Sequence, residues 1–206
     1  KIYDNWTSGS GGGIMNYANG TIIQNSLIYN NEVQSDGGGI ETRRKLALIN
    51  SVISSNFMPS GRYGSGLCIR SELDSVLVLN SIFDNNYEGF STNIVEGLYL
   101  GNGRLVAYNN IIQTRDQNVT ISRGFNNIYS EQNPFNNIDA YEFSLADYSQ
   151  GIGGGLLSTT FYGQEVIAPS IDLNGQIRPS PTGTNPDIGA IESELSTKAT
   201  LLHIAK

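Results

Sequence analysis

The chain repeats itself, and the repeat restricts the folds open to it. Four segments share one form: Ile22-Ile23-Gln24-Asn25-Ser26-Leu27-Ile28, Leu48-Ile49-Asn50-Ser51-Val52-Ile53, Val78-Leu79-Asn80-Ser81-Ile82-Phe83 and Ala107-Tyr108-Asn109-Asn110-Ile111-Ile112. Each runs from apolar residues through asparagine and a small polar residue to two more apolar residues. The anchors Asn25, Asn50, Asn80 and Asn109 lie 25, 30 and 29 residues apart. A second asparagine follows six residues later at Asn31, Asn56 and Asn86, and the fourth copy breaks this with Arg115. Glycine-rich turns precede the first three anchors, at Gly12-Gly13-Ile14, Gly38-Gly39-Ile40 and, more weakly, Ser65-Gly66-Leu67. Repetition at this period is the mark of a solenoid.

One period thus holds a glycine turn, a short strand, a variable loop, a second strand, an asparagine corner and a third strand. Strands this short cannot bury an apolar face alone, but stacked turns can pair through parallel backbone hydrogen bonds. Asparagine suits the corners because it tolerates left-handed backbone geometry better than other side-chain-bearing residues. No long window keeps the i, i+3, i+4, i+7 apolar spacing of a helix, so a helical solenoid is rejected. The expected fold is all-β, a right-handed single-stranded parallel β-helix of about four to five turns. Ile23, Leu27, Leu48, Val52, Val78 and Ile82 are its expected continuous interior.

Composition agrees. Hydrophobic residues make up 38% of the 206 residues and charged residues 15%, while 24 glycines suit many turns. Low charge with abundant Ile, Val and Tyr favours folding over disorder. The formal net charge of −7 argues against a nucleic-acid partner, which needs a basic face. The short cluster Arg43-Arg44-Lys45 reads as a solvated turn. No apolar run reaches the ~18 residues of a membrane helix, so no membrane insertion by this segment is expected. The chain opens at Lys1 inside a running repeat, so further turns are expected upstream, and the open first turn at Gly11–Asn31 is an expected site of end-to-end packing or oligomer contact.

Catalytic chemistry is sparse. The single cysteine, Cys68, lies in the apolar run Leu67-Cys68-Ile69 and reads as a small core residue. The single histidine, His203, stands alone in the tail, and no metal site is expected. Gly11-Gly12-Gly13 is not followed by the Lys-Ser/Thr pair of a phosphate loop. A polysaccharide-lyase reading would require a basic residue to abstract a proton beside a uronate carboxylate, with Ca²⁺ as one means of neutralising that carboxylate. Arg43, Arg44 and Arg70 are the candidates, with Asp36, Glu41, Glu72 and Asp74 as nearby carboxylates. In-register stacking would set Arg43 and Arg70 one above the other. For sugar binding, Tyr63, Tyr87 and Phe90 lie in or beside the variable loops Glu32–Asp36, Pro59–Tyr63 and Glu88–Asn93.

Residues 1–130 are expected to form the solenoid turns, with Phe125-Asn126-Asn127-Ile128-Tyr129 as a degenerate fifth. Residues 131–194 are expected to be a closing cap that covers the open end, and 195–206 a linker or the start of a following module. The closing region contains Ile152, Gly153 and Gly155, then Asp172-Leu173-Asn174-Gly175-Gln176-Ile177-Arg178-Pro179, then Asp187-Ile188-Gly189-Ala190-Ile191-Glu192. These motifs resemble the end of bacterial β-helix surface proteins with a choice-of-anchor Q domain. Gln150 stands where that family usually has proline, and Ile191 where it has an aromatic. The repeats resemble those of polymorphic outer-membrane and pectate-lyase-like proteins. Arg178 is expected to pair with Asp172, Asp187 or Glu192 and staple the cap.

The resemblance implies a secreted, bacterial cell-surface protein. The expected function is a non-catalytic, adhesin-like module that spaces or binds polysaccharides or surface proteins. Two alternatives stand beside it: a polysaccharide lyase or glycosidase fragment, and a phage-fibre or extracellular-filament subunit.

Overall fold

A computed structural model describes residues 1–70, 75–89, 98–100, 104–113 and 123–194, with backbone alone for 98–100. Glu72, Asp74, Phe90, Arg115, His203 and the segment 195–206 lie outside the described residues. Parallel strands stack into a β-solenoid of about four turns, and the described helical content is one 3-10 turn at Ile138–Ala140.

Each full turn has four faces rather than the three strands expected. The first face stacks Ile14–Asn16, Ile40–Thr42, Leu67–Ile69 and Leu98–Leu100. The second stacks Thr21–Gln24, Leu46–Ile49, Ser75–Leu79, Arg104–Tyr108 and Arg123–Phe125. The third stacks Ile2–Tyr3, Leu27–Tyr29, Val52–Ser54, Ile82–Asp84, Ile111–Ile112 and Ile128–Tyr129, so the degenerate fifth repeat does pair onto the stack. The fourth, of two-residue strands, stacks Trp6–Thr7, Glu32–Val33, Phe57–Met58 and Tyr87–Glu88. Strands that short carry too little apolar pattern to stand out in a sequence.

The corner between the second and third faces falls on Asn25, Asn50, Asn80 and Asn109, all with φ between 43° and 51°. Asn126 repeats it at 54°. The next corner is turned by Asn30, Ser55 and Asn85, also left-handed. Asn31, Asn56 and Asn86 follow it and do different work. Asn31 Nδ2 donates to Asn56 Oδ1 at 3.0 Å, and Asn56 Nδ2 donates to Asn86 Oδ1 at 2.9 Å. Their backbone N–H groups donate to the same oxygens, and Asn56 Nδ2 also donates to the Ile28 carbonyl at 3.0 Å. A buried amide thus meets its full hydrogen-bonding demand by stacking on copies of itself. Glycine is required where turns touch: a Cβ on Gly39 would lie 2.6 Å from the Gly66 carbonyl oxygen.

The interior holds Ile28, Leu46, Leu48, Ile53, Leu67, Val76, Val78, Phe83, Leu105 and Ile112, with Ile23 packed against it. Leu48, Val78 and Ile23 therefore lie inside as expected. Leu27, Val52 and Ile82 do not; they belong to a second apolar cluster on the outer side of the third face. Side chains alternate along a strand, and the left-handed corner sends the second residue of each apolar pair inward and the first outward.

What covers that outer cluster is the chain after residue 130. Phe135, Phe143, Leu145, Ile188 and Ala190 pack on Leu27, Val52, Ile82 and Ile111, while Leu156, Phe161 and Val166 pack on Ala47, Ile49, Leu77, Leu79 and Tyr108 of the second face. The closing region, expected over the open end, lies along the flank. It seats on the asparagine corner: Asn25, Asn50, Asn80 and Asn109 donate through Nδ2 to the carbonyls of Ile171, Asp187, Leu156 and Gly154 at 2.7–3.0 Å. Gly155 has no room for a Cβ, which would stand 2.7 Å from the Pro186 oxygen and 3.1 Å from the Asn80 amide.

The closing motifs meet in one buried network. Arg178 Nε donates to Glu192 Oε2 at 2.9 Å, so Glu192 is the ion-pair partner among the three carboxylates expected. Arg178 Nη1 reaches Asn25 Oδ1 at 3.1 Å, which ties the network to the first corner. Asp172 accepts the N–H groups of Asn174, Gln176 and Glu192, and Asp187 accepts those of Gly153 and Ser193.

Replacing Asn56 by Ala should strip the buried partners from Asn31, Asn86 and the Ile28 carbonyl at once. We expect a loss of about 3 kcal/mol or more by urea denaturation, since each orphaned buried group costs about 1–3 kcal/mol. Asn126→Gly, at an exposed left-handed corner, should change the midpoint little. Equal effects of the two substitutions would contradict the amide ladder.

Candidate functional site

On the first face the backbone register does bring Arg43 and Arg70 into one column. The Arg43 N–H donates to the Asn16 carbonyl at 3.0 Å and the Arg70 N–H to the Thr42 carbonyl at 2.9 Å. Each guanidinium is already engaged. Arg43 Nε donates to Glu41 Oε1 at 2.9 Å and lies 5.5 Å from the Tyr17 ring centre. Arg70 pairs with Asp36 and lies 5.6 Å from the Tyr63 ring centre. The Glu41 hydrogen bond raises the Arg43 pKa above its usual value. Burial works against the Arg70 charge, but Asp36 outweighs it and the net shift is again upward. Both shifts favour the cationic form. Arg44 is exposed and forms no ion pair among the described residues.

Cys68 and the wholly buried Glu41 are paired neighbours on the outward side of this face. Burial, followed by the Glu41 charge, pushes the Cys68 thiol up to about 12, so it is not a nucleophile at neutral pH.

Of the candidate aromatics, Tyr63 and Tyr87 lie near different faces. Tyr63 lies beside Arg70 near the first face. Tyr87 lies on the fourth face, where its ring packs on Phe57 with centroids 5.1 Å apart, in a column with Trp6 and Glu32. Phe90 falls outside the described residues. Among the described residues no three His, Cys, Asp or Glu side chains gather as a metal site requires, and no helix is long and apolar enough to cross a membrane.

A further concavity among the described residues involves side chains with no motif to mark them. Strands Ser158–Phe161 and Gln164–Ile167 form an antiparallel hairpin that lies over the outward side of the second face. Its two-residue turn is Tyr162-Gly163, both left-handed with φ of 52° and 74°, as a tight hairpin turn demands. The tip is fastened down. Tyr162 Oη donates to Ser75 Oγ at 2.6 Å, and Lys45 Nζ lies 4.7 Å from the Tyr162 ring centre. Two grooves flank the hairpin. The larger, about 550 Å³, runs between Phe161, Tyr162 and Thr160 on one wall and Tyr108, Arg104 and Arg123 on the other. The smaller, about 310 Å³, lies beside Lys45, Ile22, Gln164 and Val166. The available sequence signal was the β-branched and aromatic residues on both sides of Tyr162-Gly163. The hairpin's docking onto a strand some ninety residues earlier had none.

In comparisons with known proteins, no family model, no curated protein and no solved structure matches this chain.

One carboxylate is out of place electrostatically. Asp84 on the third face is almost wholly buried, and neither oxygen has a hydrogen-bond partner among the described residues. Burial alone raises its pKa to about 7. Asp187 is raised to about 6, first by burial and then by Glu192, against the N–H donors of Gly153 and Ser193. Asp84 lines neither groove beside the hairpin. Its effect is therefore on stability. A carboxyl whose folded pKa exceeds its unfolded value of about 3.9 stabilises fully below that value, and loses the contribution as pH rises through the folded pKa. Asp84→Asn should therefore gain on the order of 2–4 kcal/mol over the wild type at about pH 8 and almost nothing at about pH 4. Denaturation midpoints across that range check this; parallel curves for the two proteins would show that Asp84 does not titrate in the fold.

Proposed function

We propose that this chain is a non-catalytic binding module of an extracellular surface protein, of the kind that carries a choice-of-anchor Q closing region. The observation behind the binding role is the hairpin groove. It is a concavity of about 550 Å³ lined by aromatic rings, hydroxyls and two arginines, within the size range of small-ligand sites. Against this, the arginines best placed in sequence for lyase chemistry are already matched to Glu41 and Asp36. The family assignment draws its support from the closing motifs. Asp172, Arg178, Asp187 and Glu192 join in one buried network, which gives a physical reason for those residue types at those spacings. A rigid, stacked rod suits display at a cell surface, with polysaccharide or a surface protein as the partner.

The test is the purified chain against a panel of neutral and uronate-containing polysaccharides, with and without Ca²⁺. Binding without release of unsaturated or shortened products is expected. Sustained turnover that vanishes when Arg43 or Arg70 is replaced would overturn the reading in favour of a lyase, and a panel in which nothing binds would remove its support.

A further inference from the structure

We propose that the larger hairpin groove takes an acidic saccharide, with Arg104 and Arg123 holding its carboxylate or sulfate groups. This rests on the binding-module reading and narrows it to one ligand class at one place.

The charge distribution points there. The chain carries a formal −7, yet the described residues lining the two grooves include Lys45, Arg104 and Arg123 and not one Asp or Glu. Glu165 is exposed and alternates to the side opposite Val166, away from the second face. Arg104 and Arg123 are both exposed, and neither pairs with a carboxylate among the described residues. That contrasts with Arg43, Arg70 and Arg178, each of which does.

The register fixes their spacing. Arg123 pairs with Val106, so the two arginines sit on adjacent turns and two residues apart along the strand. Strand geometry then separates their Cα atoms by roughly 8 Å. Both side chains issue from the outward side of the same sheet, along with Val106 and Tyr108. Two guanidinium forks at that spacing suit planar or tetrahedral oxyanions, which arginine binds in bidentate fashion.

The rest of the lining fits a hydroxyl-rich ligand with ring faces. Ser75, Thr160, Tyr108 and Tyr162 bring hydroxyls, and Phe161 and Tyr162 bring rings whose centroids are 4.8 Å apart. An acidic peptide fits less well. An extended peptide gains much of its affinity by adding to a strand edge. Here the floor is the face of a sheet, and among the described residues the open strand edges lie at its rim, on Arg123–Phe125, and along the outer sides of the two-stranded hairpin. A ligand seated on the floor between the two arginines meets the side chains of that face, which suits a saccharide.

Calorimetric titration of the full chain would use four probes: a galacturonate trisaccharide, a sulfated disaccharide, neutral cellotriose and a hexaglutamate peptide. At least one acidic sugar should bind, more weakly as salt rises, and the carboxylate and sulfate arms tell which anion is preferred. Arg104→Gln and Arg123→Gln should each weaken that binding by tenfold or more, with unchanged melting midpoints because both side chains are exposed. Tyr162→Phe, which drops the hydrogen bond to Ser75, should weaken it less. Failure of both acidic sugars to bind, undiminished binding by the double arginine variant, or preference for hexaglutamate would each overturn the proposal. Binding of cellotriose alone would do so as well, while leaving the binding-module reading intact.

Discussion

The structure depends on a left-handed asparagine at one corner of every turn. Asn25, Asn50, Asn80, Asn109 and Asn126 all adopt a backbone that most side chains resist. That corner fixes where the second face ends and the third begins, and so which residue of each following pair points inward. Ile28, Ile53, Phe83 and Ile112 fill the interior as a result, and Leu27, Val52, Ile82 and Ile111 are left outside. An exposed column of that kind would be an adhesive stripe. The protein needs a cover, and the corner asparagines supply its seat by pointing their amides outward.

The cover and the solenoid are therefore one cooperative object. Carbonyls from Ile171, Asp187, Leu156 and Gly154 meet successive corner amides, from the first turn toward the last. The buried Arg178–Glu192 pair holds the returning chain in shape and touches Asn25 directly. Burial lowers the Arg178 pKa against the pull of Glu192. A pair held this way contributes little net energy but is costly to break, because either partner left alone is a buried charge. It specifies how the cover lies more than how tightly.

Concavity on this rod also arises from the cover. A bare solenoid face is nearly flat, and the second face presents Gln24, Ser75, Arg104, Tyr108 and Arg123 among mostly apolar outward side chains, with Lys45 beside it. The hairpin at residues 158–167 adds the opposite wall. Its tip is clamped by Tyr162 on Ser75 and Lys45. The stacked turns thus carry the cations, and the cover makes a site of them.

The sequence by itself determined the solenoid, its period and its corner residues. Each of these rests on local rules: asparagine's tolerance of positive φ, glycine where backbones touch, and short apolar strands that must stack. It also placed Arg43 above Arg70, because in-register stacking follows from the period. Only the tertiary structure decided the rest. Facing within pairs such as Leu27-Ile28 turns on a corner dihedral that the apolar pattern leaves open. The ladder through Asn31, Asn56 and Asn86 sits one residue past the corner, where composition alone cannot separate it from the turn. The grooves join Arg104 and Arg123 to Phe161 and Tyr162 across the flank, and no periodicity links them. Whether an arginine is matched by a carboxylate, as Arg70 is by Asp36, or stands free, as Arg104 does among the described residues, depends on distances that exist only once the turns are stacked and covered.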